Sequence, residues 1–287
     1  MSGPDAGNAQ TARAAMADAV PGLRAAGIDD PARDARLLLA HAMRLVPGRL
    51  LLHLDDALSA EAAERFAVAL AARRRRQPVS QITGTRLFWG HGFRVTPDVL
   101  DPRPETEALV AAALDAPFNR VLDLGTGSGA IIISLLAERP QARGVAVDIS
   151  PAALAVAREN AARLGLSERV EFILSDWFAG VTGVFDLIVS NPPYIAAVEM
   201  PALAPETRDW EPALALTPGG DGLDAYRRIA AQAGAYLKPG GRVLLEIGPT
   251  QGEAVSEMLR EAGFAEISVT RYLDGRARVV SARKRGC

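Results

Sequence analysis

The chain has 287 residues, and 49% of them are hydrophobic while 23% are charged, which supports a buried core and excludes a disordered or fibrous protein. The net charge of −2 argues against a protein that coats nucleic acid, because phosphate contacts need a basic face. No apolar run reaches the roughly 18 residues of a membrane span and the N-terminus lacks a secretory pattern, so we expect a cytoplasmic protein.

The cysteine and the histidines form no recognisable site pattern. Cys287 is the single cysteine and has no partner for an intrachain disulfide. His41, His53 and His91 lie far apart and match no metal-hydrolase spacing. The sequence therefore predicts neither a disulfide nor a metal site.

Short helices are predicted from Thr11 to Arg76, where apolar residues return every three or four positions. Ser59 has the character of an N-cap for one of them. We expect four or five helices that form a substrate-binding domain over residues 1–80. The run Arg73–Arg76 ends the last helix, where cations oppose the helix dipole; a contact with an acidic or RNA-bound partner is the alternative.

A β-hairpin is predicted over residues 81–100, where it would join two domains. Its strands are expected at Leu87–Trp89 and Phe93–Val95, around a turn at Gly90–Gly92. A helix with carboxylates in its first turn, Glu105 and Glu107, should follow.

From Asn119 onward the predicted strands and helices alternate, which is typical of an α/β fold with a doubly wound, mostly parallel sheet covered on both faces. This domain is expected to span residues 101–287. Its final two strands, Phe264–Thr270 and Arg276–Ala282, are close enough to form an antiparallel hairpin. The other predicted strands are Val121–Leu124, Arg143–Val147, Val170–Leu174, Phe185–Val189 and Arg242–Ile247, and the helices are Ala130–Ala137, Pro151–Leu164 and Leu223–Leu237.

A glycine-rich loop follows the first of these strands, in the sequence Asp123-Leu124-Gly125-Thr126-Gly127-Ser128-Gly129. Its glycines stand at every second position, which differs from the G-x-G-x-x-G pattern of dinucleotide-binding loops. The spacing favours a ligand without phosphate, such as an adenosyl group that carries an amino acid; a tight turn without a ligand is the alternative. The predicted cofactor contacts of the loop are Gly125, Thr126, Gly127, Ser128 and Gly129.

Acidic and aromatic residues follow the next two strands. Asp148 lies about 20 residues after the glycine loop, where a carboxylate accepts both ribose hydroxyls. Asp176 is predicted to accept from an exocyclic amine, and Trp177 to stack on a purine. The alternatives are a helix cap for Asp148 and a core position for Trp177, while Phe178 is expected to pack in the core.

The fourth strand ends in Asn191-Pro192-Pro193-Tyr194. The two prolines remove backbone donors and stop strand pairing, so the Asn191 side chain and the Pro192 carbonyl are left as acceptors. A planar NH2 group could donate one hydrogen to each acceptor while Tyr194 lies against its plane. A rigid turn without a substrate is the alternative.

The glycine loop and Asn191–Tyr194 together resemble the class I S-adenosylmethionine-dependent methyltransferases that act on planar nitrogen. Further stretches make the chain similar to the peptide chain release factor N5-glutamine methyltransferases. These stretches are Phe88-Trp89-Gly90, Phe93-Arg94-Val95, Pro102-Arg103-Pro104-Glu105-Thr106-Glu107, Ser175-Asp176-Trp177-Phe178, Glu211-Pro212 and Asp221-Gly222-Leu223.

The resemblance implies a class I methyltransferase fold and methylation of the glutamine in the Gly-Gly-Gln motif of release factors, with S-adenosylmethionine as cofactor. It implies cofactor contacts at the glycine loop, Asp148, Trp177 and Asn191. Asn191–Tyr194 would hold the substrate, with Asn191, Pro192 and Tyr194 as catalytic residues. We expect release factors as the protein partner, and a monomer that binds neither nucleic acid nor membrane directly.

Other functions remain open at this point. Asp101 stands where the family usually has an aliphatic residue, whereas Glu105-Thr106-Glu107 favours release factors over a ribosomal protein as the substrate. An adenine N6 methyltransferase satisfies the same clamp but usually needs a basic surface, which a net charge of −2 does not supply. A non-catalytic binding module is the third possibility.

Overall fold

The structure is a computed structural model that describes residues 10–286, so Cys287 lies outside the described part. The chain folds into two compact units. One contains the described residues up to Gly84 together with the distant segment Pro205–Trp210, and the other contains Thr85–Ala204 and the described residues from Glu211 onward. Nothing in the sequence indicated that residues 205–210 belong with the N-terminal helices.

The elements are numbered along the chain. The helices are α1 (Ala12–Ala25), α2 (Pro31–Ala42), α3 (Ala60–Arg74), α4 (Val79–Thr83), α5 (Glu107–Leu114), α6 (Ala130–Glu138), α7 (Pro151–Arg163), α8 (Pro205–Arg208), α9 (Ala213–Leu216), α10 (Asp224–Tyr236) and α11 (Gly252–Glu261). The strands are β1 (Thr85–Phe88), β2 (His91–Arg94), β3 (Arg120–Leu124), β4 (Arg143–Asp148), β5 (Val170–Leu174), β6 (Phe185–Ser190), β7 (Leu237–Glu246), β8 (Phe264–Arg271) and β9 (Ala277–Lys284). Short 3₁₀ helices occupy Pro47–His53, Pro104–Thr106, Ser167–Arg169 and Met200–Ala202.

The N-terminal unit is helical, as predicted, with α1–α4 and the 3₁₀ helix Pro47–His53. The predicted cap is confirmed, because the Ser59 hydroxyl accepts from the Ala62 amide at 3.1 Å. The apolar faces of α1, α2 and α3 form one core, which includes Leu38, Leu39 and Phe66.

The run Arg73–Arg76 lies at the end of α3. The prediction that this is the last helix of the unit is wrong, because α4 follows it. Ion pairs within the same unit also account for the run. Arg73 is only 6% exposed, and its guanidinium reaches Asp34 at 2.7 Å and Glu206 at 2.9 Å. Arg76 reaches the second oxygen of Glu206 at 2.7 Å. These contacts join α8 to the helical unit through charge.

The second unit contains a seven-stranded sheet in the order β5-β4-β3-β6-β7-β9-β8. Neighbours from β5 to β7 are parallel, and β9 is antiparallel to both β7 and β8. The prediction of a mostly parallel sheet with a terminal antiparallel pair is confirmed. Side chains alternate along each strand, so α5 and α6 cover one face while α10 and α11 cover the other.

The hairpin of β1 and β2 differs from its prediction at the turn. Phe88 pairs with His91, so the turn consists of Trp89 and Gly90, with φ of 48° and 73°, and not of Gly90–Gly92. Two consecutive residues at positive φ match the twist of a two-residue hairpin. The shorter turn lets Phe88 and Phe93 pack edge to face in the core of this unit, with ring centroids 6.0 Å apart.

The boundaries of the last elements also shift slightly. Strand β7 begins at Leu237, five residues before the predicted start, because Leu237 already pairs with Phe185 of β6. Regular pairing resumes only at Arg242, after an irregularity in which Gly240 has φ of +75°. Along the described residues 10–286, none of the helices combines the length and apolar character that a membrane crossing requires.

Candidate functional site

The carboxyl ends of neighbouring parallel strands meet at one edge of the sheet. Leu124 of β3 is level with Ser190 of β6, which in turn is level with Leu245 of β7. The Ser190 hydroxyl donates to the Leu124 carbonyl at 2.7 Å and so holds two strand ends together. Each of these strands, and β4, brings one residue of interest to this edge. Gly125 follows β3, Asp148 ends β4, Asn191 follows β6 and Glu246 ends β7.

A cavity of about 570 Å³ opens at this edge, within the second unit. All of the predicted cofactor residues line it except Gly129. Of the predicted substrate clamp, Asn191 and Pro193 line the cavity, whereas Pro192 and Tyr194 do not. Two further stretches without an assigned contact contribute to the wall, one from Asp98 to Thr106 and one from Pro212 to Pro218, as does the start of α10 from Asp224 to Arg228.

Gly129 supports the loop from the side away from the cavity. It has φ of +80°, and an added Cβ would lie 2.8 Å from Cδ1 of Ile133 and 3.2 Å from Cβ of Ala157. Glycine is required here because α6 and α7 approach each other across this position. The third glycine of the loop is therefore needed for helix packing.

Asp148 ties the glycine loop to β4. Its Oδ2 accepts from the Gly127 amide and its Oδ1 from the Ser150 amide, both at 2.9 Å. Burial raises the pKa of Asp148, while these amides oppose the rise. Ser150 caps α7 through the Ala153 amide, so the cap alternative for Asp148 does not hold. Each carboxylate oxygen retains a lone pair for a further donor.

Asp176 and Trp177 form another part of the cavity wall. Asp176 is exposed, and its Oδ2 accepts from Arg228 of α10 at 2.6 Å. Trp177 has φ of +52° and lies about 4.0 Å from the position of a Cβ added to Gly125. Phe178 is buried and stacks on Tyr236 with centroids 4.7 Å apart, which confirms its predicted core position.

The Asn191 amide is held in one orientation by a neighbour. Its Nδ2 donates to the Thr106 hydroxyl oxygen at 3.3 Å. The amide oxygen is then the group that Asn191 offers as an acceptor.

Tyr194 directly follows the two prolines and does not line the cavity. Its carbonyl accepts from Gln251 at 2.9 Å, and burial raises the pKa of its hydroxyl to about 12. The phenol therefore stays neutral at physiological pH.

Asp123 is a buried residue of the glycine motif to which the sequence assigned no role. Its Oδ2 accepts from the Thr126 hydroxyl at 2.7 Å, and its Oδ1 has no partner among the described residues. Burial raises the pKa of Asp123 to about 7, and the nearby Asp148 adds to the rise. An acidic residue inside an otherwise apolar strand was the signal that could have identified it.

Arg103 and Glu211 form an ion pair that the sequence did not predict, although both belong to the stretches that carry the family resemblance. The Arg103 Nη2 contacts both Glu211 oxygens, at 2.7 and 2.8 Å. Burial raises the pKa of Glu211 to about 7, against the effect of Arg103. The pair connects the two stretches of cavity wall that lack assigned contacts. Nearby, Asp101 is buried and lies 3.6 Å from Arg86, so the unusual acidic residue has a basic partner.

Asn160 links the glycine loop to the hairpin. Its amide nitrogen donates to the carbonyls of Ser128 at 2.9 Å and Arg94 at 3.1 Å, and its oxygen accepts from the Arg94 amide at 2.7 Å. It is 1% exposed, so these bonds satisfy a buried amide. An asparagine within a helix gave no local sign of this function.

No group of three or more His, Cys, Asp or Glu residues within residues 10–286 is arranged to hold a metal ion.

Two family models match the chain. Residues 100–207 match the methyltransferase small domain, and residues 14–84 match the PrmC N-terminal domain. A release factor glutamine methyltransferase of Cereibacter sphaeroides is 66% identical over 94% of this chain and 97% of that protein. Another, from Rhodospirillum rubrum, is 46% identical over 92% of this chain and 82% of that protein.

Solved structures share the fold at low sequence identity. A methyltransferase from Pyrococcus furiosus covers 75% of this chain and 100% of its own, with a TM-score of 0.56 and 18% identity. A 16S rRNA methyltransferase from T. thermophilus, in complex with AdoMet and guanosine, covers 70% of this chain and 50% of its own, with a TM-score of 0.52 and 22% identity. The second unit therefore has a class I methyltransferase fold.

Proposed function

The chain belongs to the release factor glutamine methyltransferases, and from that premise we propose that Asn191 and Pro192 hold the glutamine amide that receives the methyl group. The protein is an S-adenosylmethionine-dependent enzyme that methylates the N5 nitrogen of a release-factor glutamine. The substrate position is the glutamine of the Gly-Gly-Gln motif. The similarities do not favour a ribosomal protein or adenine as the substrate.

The cavity residues fit S-adenosylmethionine. Asp148 has lone pairs for the ribose hydroxyls, Trp177 offers a flat face for adenine, and the glycine loop exposes backbone groups to the amino acid portion. Asp176 lies beside Trp177, where it would accept from the adenine amine. When bound, the cofactor supplies an electrophilic methyl group on a sulfonium.

The observation that carries the proposed clamp is the bond from Asn191 Nδ2 to Thr106, because it leaves the Asn191 oxygen to accept from a substrate. The Pro192 carbonyl would accept the second hydrogen of the same NH2 group, and a planar amide held by both acceptors turns one face of its nitrogen to the cavity. Tyr194 does not line the cavity, so its contact with the plane of the amide stays a prediction.

Orientation supplies most of the rate in this mechanism. An amide nitrogen is a weak nucleophile because its lone pair is delocalised into the carbonyl. None of the residues that line the cavity is a histidine or lysine that could serve as a general base. Alignment of the nitrogen for in-line displacement contributes at most about 7–11 kcal/mol. The two acceptors also stabilise the positive charge that develops on the NH2 group.

The test is mass spectrometry of release-factor peptides after incubation with the enzyme and S-adenosylmethionine. The Gly-Gly-Gln glutamine should gain one methyl mass. We expect Asn191→Ala to abolish most of this gain, while calorimetry shows only modestly weaker cofactor binding. Asn119→Ala is the matched control, since Asn119 precedes the opposite end of β3 and should leave both quantities unchanged. An Asn191→Ala enzyme with near-parental transfer would contradict the clamp.

The helical unit is proposed to bind the release factor. Val46, Leu51 and Leu52 are exposed at or beside its 3₁₀ helix Pro47–His53, where they offer apolar surface to a protein. The net charge of −2 supports a protein substrate over direct contact with nucleic acid. We propose that a single copy of the chain performs the reaction.

A further inference from the structure

Thr106 belongs to the Pro104-Glu105-Thr106-Glu107 stretch, to which the mechanism above assigns no chemistry. It ends the 3₁₀ helix Pro104–Thr106 and is only 4% exposed. Its hydroxyl oxygen accepts from Nδ2 of Asn191, a residue 85 positions away in the sequence. A hydroxyl has one hydrogen to donate, so the direction of this bond depends on where that hydrogen goes.

Glu246 is a second buried residue near Thr106. Ser190 and Leu245 are level in the sheet, so the next residues, Asn191 and Glu246, leave neighbouring strands side by side. Glu246 is 1% exposed, and although burial raises the pKa of its carboxyl overall, the Thr106 hydroxyl is near enough to lower that pKa. Its Oε2 has no hydrogen-bond partner among the described residues.

Neighbouring groups both raise and lower the pKa of the Glu246 carboxyl. Burial raises its pKa to about 7, and the Thr106 hydroxyl and Arg278 of β9 oppose the rise. Glu105 raises the pKa further, Arg103 lowers it, and Tyr194 also faces the carboxyl. Above this pKa the ionised group is only an acceptor, so the Thr106 hydrogen is directed to it.

We propose that Glu246 and Thr106 are positioning residues that set the orientation of the Asn191 amide. Because the Thr106 hydrogen points to Glu246, its oxygen presents only lone pairs to Asn191 and selects the NH2 end of that amide. The Asn191 oxygen is then left for the substrate NH2. If the Asn191 amide were reversed, its NH2 group would face the NH2 group of the substrate glutamine. Two donors cannot hydrogen-bond to each other, so Asn191 could not hold the glutamine.

This inference rests on the proposed function, and it predicts that Thr106 acts only through Asn191. Thr106→Val keeps the shape of the side chain and removes the hydroxyl. We expect kcat at about pH 8 to fall about tenfold to a hundredfold, with the KM for cofactor and release factor within about twofold. Thr106→Ser retains the hydroxyl and should restore kcat to near the parental value.

A double-mutant cycle separates positioning from a general structural effect. The Thr106→Val and Asn191→Ala double variant should be no slower than Asn191→Ala alone, because the orientation of a missing amide has no consequence. The inference would be overturned if the loss of kcat in the double variant equalled the product of the two single losses. It would also be overturned if Thr106→Val left kcat unchanged, or if Thr106→Ser did not restore kcat. If thermal melting shows that Thr106→Val does not fold, Glu246→Gln replaces it in the cycle with the same expected non-additivity.

The cycle also distinguishes failure of the proposed Asn191 clamp from failure of the proposed positioning by Thr106 and Glu246. If Asn191→Ala retains the parental kcat, the proposed clamp is wrong whatever Thr106 does. If Asn191→Ala is impaired while Thr106→Val is unimpaired or independent, only the positioning by Thr106 and Glu246 is wrong.

Discussion

Asp148 combines two tasks that a single carboxylate is able to perform. Each oxygen accepts one backbone amide, which fixes both the glycine loop and the start of α7. Asp148 also lines the cavity beside this loop, so its remaining lone pairs are available to a ligand there. The residue that shapes the loop is thus also the residue proposed to hold the ribose.

We expect Asp148→Ala to raise the Kd for S-adenosylmethionine about tenfold to a hundredfold, because charged acceptors are lost from both the ribose and the loop. Isothermal titration calorimetry measures this change. Asp98→Ala is the control, since Asp98 lines the same cavity and, among the described residues, is hydrogen-bonded to Thr96 only; its Kd should stay within about threefold. Equal affinities for the Asp148 variant and the parent would remove the ribose assignment.

At the scale of elements, the packing of α6 against α7 positions the glycine loop. An added Cβ on Gly129 would lie between Ile133 of α6 and Ala157 of α7. A Cβ at this position would displace the end of the Ile133 side chain and would lie 3.2 Å from Cβ of Ala157, which is tighter than ordinary packing.

Gly129→Ala should therefore destabilise the protein by about 2–5 kcal/mol, from the positive φ and the overpacking together. Gly165→Ala is the matched control, because Gly165 has φ of +70° and no atom within 4 Å of an added Cβ. It should lose only about 1–2 kcal/mol. Chemical denaturation measures both values, and equal losses would show that helix packing at Gly129 is unimportant.

In the hairpin of β1 and β2, local sequence patterns predicted the strands but not the position of the turn. The aromatic and glycine residues around Gly90 predicted two strands correctly. The turn was misplaced because Trp89 adopts a positive φ that tryptophan rarely takes. Tertiary packing of Phe88 and Phe93 in the core accounts for that conformation.

At the scale of the whole molecule, the stability of the second unit is expected to depend on pH. Asp123, Glu211 and Glu246 are buried carboxyls, and the pKa of each is raised to about 7. Each folded-state pKa lies above the unfolded value of about 4, so the folded protein retains protons that the unfolded chain has lost. These groups therefore lower stability as pH rises from about 4 to about 7.

Asp123→Asn removes one of these ionisations. The melting temperature of this variant minus that of the parent should increase as pH rises from about 4 to about 7. The difference should stay constant above about pH 7.5. Differential scanning calorimetry across this range gives the comparison. Asp115→Asn, at an exposed position, should follow the parent. A constant difference between Asp123→Asn and the parent from pH 4 to 8 would show that Asp123 does not titrate in this range.

The sequence by itself determined the helical N-terminal unit, the mostly parallel sheet with its antiparallel end, and the cavity-lining positions of Asp148, Trp177 and Asn191. These features follow from periodic burial and from the common edge at which parallel strands end, both of which are encoded locally. Only the tertiary structure decided that residues 205–210 join the helical unit and that Arg103 meets Glu211. It also decided that Thr106 bonds to Asn191, because such contacts depend on strand order and register between residues far apart in the chain.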